Sequence, residues 1–285
     1  MSRIGIMQGR LLPPQGGRFQ CFPKERWREE FAFASAAGLD AIEWIYDLQG
    51  ADANPVATDD GIAEMRALSR KHGIAVVSID ADYFKDRLFV TAPPAEFSEL
   101  TAHLHWLIGR CHLAGITRIV LPFVDGSRID TPEQLTRVVE MLRCVLPSAE
   151  EGGLELDLET SLDPEALAGL LGRLPYPMLK VNYDSGNSAS LGYDVRQELA
   201  AYGKRIGGLH IKDRIRGGGS VPLGTGNADI PTLLAGLAEI EYSGDYVFEA
   251  ARGVPGEEVA WARQNRAFLS RLLEQAKLAA CGSVQ

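Results

Sequence analysis

"TDDGIAEMRALSRKHG" (58–73), followed at once by "IAVVSID" (74–80), is the unit on which the fold turns. The first run is an amphipathic helical stretch that stops at Gly73. The second is a short, β-branched, apolar run of the kind that forms a strand. Glycine suits a left-handed helix terminus, and the same punctuation recurs at Gly38 and Gly115.

Outward from this unit the pattern repeats along the whole chain. The strand-like runs are "RIGIMQG" (3–9), "LDAIEWI" (39–45), "IAVVSID" (74–80) and "ITRIVLPF" (116–123) in the first half. "LELDLET" (154–160), "LKVNYD" (179–184), "IGGLHIK" (206–212) and "DYVFEA" (245–250) follow in the second. Alternating β and α segments predict a parallel sheet with right-handed crossovers. Eight units in 285 residues predict an α/β fold closed as a (β/α)8 TIM barrel, with an open doubly wound sheet as the alternative. No linker divides the chain, and the Gly-rich "RGGGSVPLGTGN" (216–227) reads as a loop inside the seventh unit. A single barrel domain is expected over 1–280, with a frayed C-terminal tail at 281–285.

A formal net charge of −9 argues against sequence-independent nucleic-acid binding, while leaving room for a small anionic substrate at a local basic patch. The four cysteines, at 21, 111, 144 and 281, form no C-x-x-C pair and read as free thiols. No apolar run approaches the roughly 20 residues of a membrane span, and the opening residues turn polar quickly. A soluble, cytoplasmic protein is expected, with no nucleic-acid or membrane partner and with homo-oligomerisation left open.

In a barrel, alternate residues of each strand point inward and active sites gather at the carboxyl ends. In "LELDLET" the leucines at 154, 156 and 158 face one way, and Glu155, Asp157 and Glu159 the other. The inward sets of the next three strands end in Asp184, in His210 with Lys212, and in Glu249. Each residue alone has a plain reading: a solvated edge for Glu159, a turn for Asp184, a satisfied core ring for His210. Together they do not, because like charges at ~4 Å and an effective dielectric of ~20 cost about 4 kcal/mol per pair. A divalent ion reverses that repulsion. Three carboxylates and one imidazole suit Mn²⁺, Mg²⁺, Co²⁺ or Zn²⁺, so Glu159, Asp184, His210 and Glu249 are the predicted ligands of one ion. Below them, Glu155 and Asp157 are expected to form an ion-pair layer with Lys180.

These residues in this order, with the opening "GIMQGRLLPP…FP…W…EF…A…GLD.IEW", resemble the xylose-isomerase-like barrel superfamily, and within it proteins described as sugar phosphate isomerases or epimerases. The similarity runs over essentially the whole chain. It implies the same four metal ligands, and Glu159 and Glu249 as a catalytic pair exchanging protons with substrate from opposite faces. It also places Arg216 near the substrate oxygens, while Asn187 stands where many ketose epimerases have a histidine. Lys212, Arg10, Arg214 and Arg252 are further candidates for binding hydroxyls or a phosphate, and Asn187 and Glu43, which points inward at the end of the second strand, are expected to join the substrate-binding set.

The expected activity is a divalent-metal-dependent isomerisation or epimerisation of a sugar or sugar phosphate, by proton transfer through a metal-bound enediolate. A lyase or dehydratase acting on a keto-sugar or keto-inositol could use the same site. A non-catalytic sugar-binding barrel is the third reading.

Overall fold

The computed structural model, which describes residues 2–282, closes eight parallel strands into a barrel in the order they occur along the chain. The strands are β1 (Ile4–Met7), β2 (Ala41–Ile45), β3 (Ala75–Asp80), β4 (Arg118–Phe123), β5 (Glu155–Thr160), β6 (Leu179–Asp184), β7 (Ile206–Ile211) and β8 (Tyr246–Phe248). β8 pairs back onto β1, so no strand edge is left open.

The unit at 58–80 forms for identifiable local reasons. Thr58 Oγ1 accepts from the Gly61 N–H at 3.1 Å and caps the helix Asp59–His72. Asp59 and Asp60 sit in its first turn and Arg70, Lys71 and His72 in its last, matching the helix dipole at both ends. Gly73, at φ 68°, ends it in the left-handed region that a side chain disfavours. Ile62 and Met65 form its buried face.

The apolar core lies between the barrel's outer face and the helices. Leu156 and Leu158 of β5 are fully buried there, as are Leu104, Val138, Leu142 and Leu233 from the helices. Each such side chain contributes about 1.5–3 kcal/mol relative to exposure. Inside the barrel the layers are polar instead. Met7, Glu43, Ser78, Arg118 and Glu155 stand at paired positions on successive strands from β1 to β5.

That interior corrects one expectation. The cation of the ion-pair layer is Arg118 of β4, with Nε 3.0 Å from Asp157 Oδ2 and Nη2 3.1 Å from Glu155 Oε2. The guanidinium fork reaches two carboxylates at once. Burial pushes Asp157 up to about 7 against the pull of Arg118.

β7 carries a bulge that matters for the site. Val181 pairs with Ile206 but Asn182 pairs with Gly208, so Gly207 is an extra residue on β7. A Cβ there would fall 2.6 Å from Asp157 Oδ2, which is why the position takes glycine. Past the bulge, His210 comes into register with Asp184.

The connection after β1 crosses toward the carboxyl end of the barrel. Arg252 holds it by donating to the carbonyl oxygens of Phe19, Leu12 and Gly9 at 2.9, 2.9 and 3.0 Å. Glu30 Oε1 accepts from the Gly9 N–H at 2.6 Å from beneath. The final helix spans Glu258–Gly282, so the first two residues of the expected tail are helical, and residues 283–285 lie outside the described residues. Among the described residues no helix is long and apolar enough to cross a membrane.

Candidate metal centre

Four strand ends deliver the predicted ligand set to one place. Glu159 is the last residue but one of β5, Asp184 ends β6, His210 lies on β7, and Glu249 follows β8 directly. Each offers a ligand atom, these atoms lie within 4.8 Å of one another, and all four residues are buried.

His210 is fully buried, and its two nitrogens have different surroundings. Nε2 lies 2.5 Å from Glu43 Oε1, while the other Glu43 oxygen accepts from Ser78 Oγ at 2.5 Å. Nδ1 has no hydrogen-bond partner, yet it lies 3.1 Å from Glu249 Oε2, 3.3 Å from Glu159 Oε2 and 3.9 Å from Asp184 Oδ2. A carboxylate on Nε2 takes the ring proton there and leaves the Nδ1 lone pair facing three carboxylates. Only a positive charge makes that arrangement favourable. Burial opposes an imidazolium, but Glu43, Glu159 and Glu249 outweigh it and hold the ring well above its usual range. A divalent ion satisfies the same geometry by displacing that proton. The orphaned, buried Nδ1 and the hard oxygen donors therefore fit the expected ion.

The carboxylates are individually held. Asp184 Oδ1 accepts from the Gly186 and Asn187 N–H groups, both at 2.8 Å, and caps the short helix Ser185–Leu191. Its Oδ2 faces the cluster, so the residue both opens a turn and offers a ligand oxygen. Glu159 accepts from Asn187 Nδ2 at 2.7 Å and from Asn182 Nδ2 at 3.1 Å. Lys212 Nζ lies 2.9 Å from Glu249 Oε1 and 3.2 Å from Asp184 Oδ2. Burial raises Glu249, but Lys212, His210 and Arg10 outweigh it and hold the carboxyl well below its usual range.

The cluster opens onto a cavity of about 340 Å³ whose walls include Glu159, Glu249, Asn187, Lys212, Arg214, Asp80, Asp82 and Lys85. Of the predicted substrate residues, Lys212, Asn187 and Arg214 line it, whereas Glu43, Arg10, Arg216 and Arg252 do not. Glu43 is 1% exposed with both oxygens engaged, so it faces His210 rather than a ligand. Arg10 donates to Ala250 O at 3.0 Å and to Gln20 Oε1 at 2.9 Å and lies 3.5 Å from Glu249 Oε1, so it stands behind two cavity-lining side chains and is not itself in the lining. Arg216 is exposed and packs its guanidinium against Gly192. The chain after β7 turns back on itself through an Arg214–Ser220 bridge, which sends Arg214 inward and carries Arg216 to the tip. Arg214 Nη1 accordingly donates to Asn187 Oδ1 at 2.8 Å. Strand alternation marks Asn182 as inward on the same strand as Asp184, whereas Gln20 and Lys85 carried no signal in the sequence that set them apart from other polar residues.

Residues 31–272 match a family model described as the xylose isomerase-like TIM barrel. The chain is 26% identical over 231 residues to an L-ribulose 3-epimerase from a Methylomonas species, covering 78% of each protein. It is 23% identical over 240 residues to a 2-epi-5-epi-valiolone 7-phosphate 2-epimerase from an Actinoplanes species, covering 82% of each. A solved L-ribulose 3-epimerase structure superposes with a TM-score of 0.77 at 22% identity, over 98% of this chain and 97% of the other. That last likeness concerns the fold.

Proposed function

The chain belongs to the xylose isomerase-like TIM barrel family, and from that premise we propose that it is a divalent-metal-dependent isomerase or epimerase of a sugar. The observation that carries the reading is the unpartnered Nδ1 of His210, fully buried among three carboxylates that open onto a polar cavity. Relatives that are sugar epimerases support it.

Glu159, Asp184, His210 and Glu249 would hold the ion. When bound, it supplies a Lewis acid for the carbonyl and neighbouring hydroxyl oxygens of an open-chain sugar. Glu159 and Glu249 come from strands three apart around the barrel and reach the cavity from different sides, which suits removal of a carbon-bound proton and its return elsewhere. Lys212 keeps Glu249 ionised and able to act as a base. Asn187, donating to Glu159, fixes the direction of the other carboxylate. Glu43 positions His210 and takes no part in proton transfer.

The test is a panel of ketoses incubated in deuterated water with Mn²⁺-supplemented protein. Deuterium is expected at the carbon beside the carbonyl, with an isomer or epimer as product. Glu249→Gln should lower turnover by about 10²–10⁴-fold with an unchanged circular dichroism spectrum. Loss of water from the substrate would replace the reading with a lyase. Metal-independent binding with no exchange would leave a sugar-binding barrel.

A further inference from the structure

The cavity has a second wall, facing the cluster from the other side of the barrel. Asp80 ends β3, four strands away from β7, and Asp82 follows it. Both line the cavity together with Gln20 and Lys85. Gln20 is oriented by Arg10, which donates to its Oε1 at 2.9 Å and so turns its amide nitrogen toward the acids. That nitrogen lies 3.1 Å from Asp82 Oδ2 and 3.4 Å from Asp80 Oδ2. One oxygen of each acid is thereby taken. The remaining oxygen of Asp82 lies 3.4 Å from Lys85 Nζ. The remaining oxygen of Asp80 has no partner, although the residue is only 3% exposed.

A buried acceptor without a donor awaits one from a ligand. A hydroxyl supplies a proton to it; a phosphate dianion has none to give and adds repulsion. Among the described residues, the cations lining the cavity are already committed. Lys85 faces Asp82, Lys212 faces Asp184 and Glu249, and Arg214 donates to Asn187 and to Gly218 O at 2.9 Å. The N–H groups of Gly186 and Asn187, which would otherwise offer an anion site, are taken by Asp184.

We propose that Asp80, Asp82 and Gln20 form the subsite that recognises the hydroxyls at the remote end of the substrate, and that the substrate is a neutral, unphosphorylated sugar. This rests on the function proposed above and narrows it. The two relatives differ on this point, since one is named for a free sugar and the other for a phosphate ester.

The experiment is calorimetric titration of the full-length, Mn²⁺-loaded protein with two probe pairs, L-ribulose and its 5-phosphate, and D-allulose and its 6-phosphate. Solvent deuterium uptake is followed in the same samples. At least one free ketose should bind about tenfold or more tighter than its ester. Asp80→Ala should weaken that ketose by about tenfold or more, mainly through KM. Asp82→Asn, which keeps shape and removes a charge, should narrow the gap between ketose and ester. An ester that binds as tightly as its ketose, with deuterium uptake intact, overturns the subsite and leaves the epimerase reading standing. Unchanged ketose binding in Asp80→Ala overturns the subsite as well. Absence of binding and exchange with all four probes overturns both.

Discussion

Glu43 and His210 are 167 positions apart in the chain, and their 2.5 Å contact decides which ring nitrogen is free. A carboxylate behind a ligand histidine fixes its tautomer and orientation, and losing one typically costs about 10–100-fold in metal affinity. Glu43→Gln should therefore weaken Mn²⁺ binding by that factor in a chelator competition, with the barrel folded. Affinity equal to the parent's would remove Glu43 from its positioning role. The four clustered side chains were legible because side chains alternate strictly along a strand, so Glu159, Asp184, His210 and Glu249 read as inward from the chain alone. The same alternation marked Glu43 as inward, but nothing local says whether an inward carboxylate meets a ligand or an imidazole on another strand. Arg216 illustrates the opposite limit. It lies on a hairpin-like turn, where period two no longer applies, and Arg214 takes the inward direction instead.

Among the elements, the connection after β1 shapes the cavity and was the least readable part of the chain. Residues 9–20 carry prolines and glycines without helical or strand periodicity, so their placement depends on distant anchors. Arg252 holds three of their carbonyl groups, and Glu30 holds Gly9 from below. Glu30 is fully buried, and burial raises its carboxyl from 4.5 to about 8, against the donors of Gly9 and Leu11. Between those two values the folded chain keeps a proton that the unfolded chain releases. This group's contribution to stability is therefore full below about pH 4.5 and is lost as pH rises through about 8. The slope approaches about 1.4 kcal/mol per pH unit inside that window. Glu30→Gln keeps an acceptor for Gly9 and cannot titrate. Across pH 5 to 9 the melting temperature of the parent should fall relative to the variant; parallel curves would contradict the assignment.

At the scale of the molecule, strand-like runs recur eight times with helical stretches between them, several of those helices ending at a glycine, which makes the closed barrel readable from the chain alone. The polar interior was readable only in part. Acids on β5 announced an ion-pair layer, but Arg118 and Lys180 flank β5 on its two neighbouring strands, and which of them turns its charge onto the acids is not contained in strand patterning. The ligand geometry and the second wall both assume that one ion sits among the four strand ends. The most direct measurement is anomalous diffraction from a crystal grown with Mn²⁺. The strongest peak should lie about 2.0–2.3 Å from His210 Nδ1 and from one oxygen each of Glu159, Asp184 and Glu249. A peak at Asp80 and Asp82 instead, or none within coordinating distance of His210 Nδ1, would contradict it.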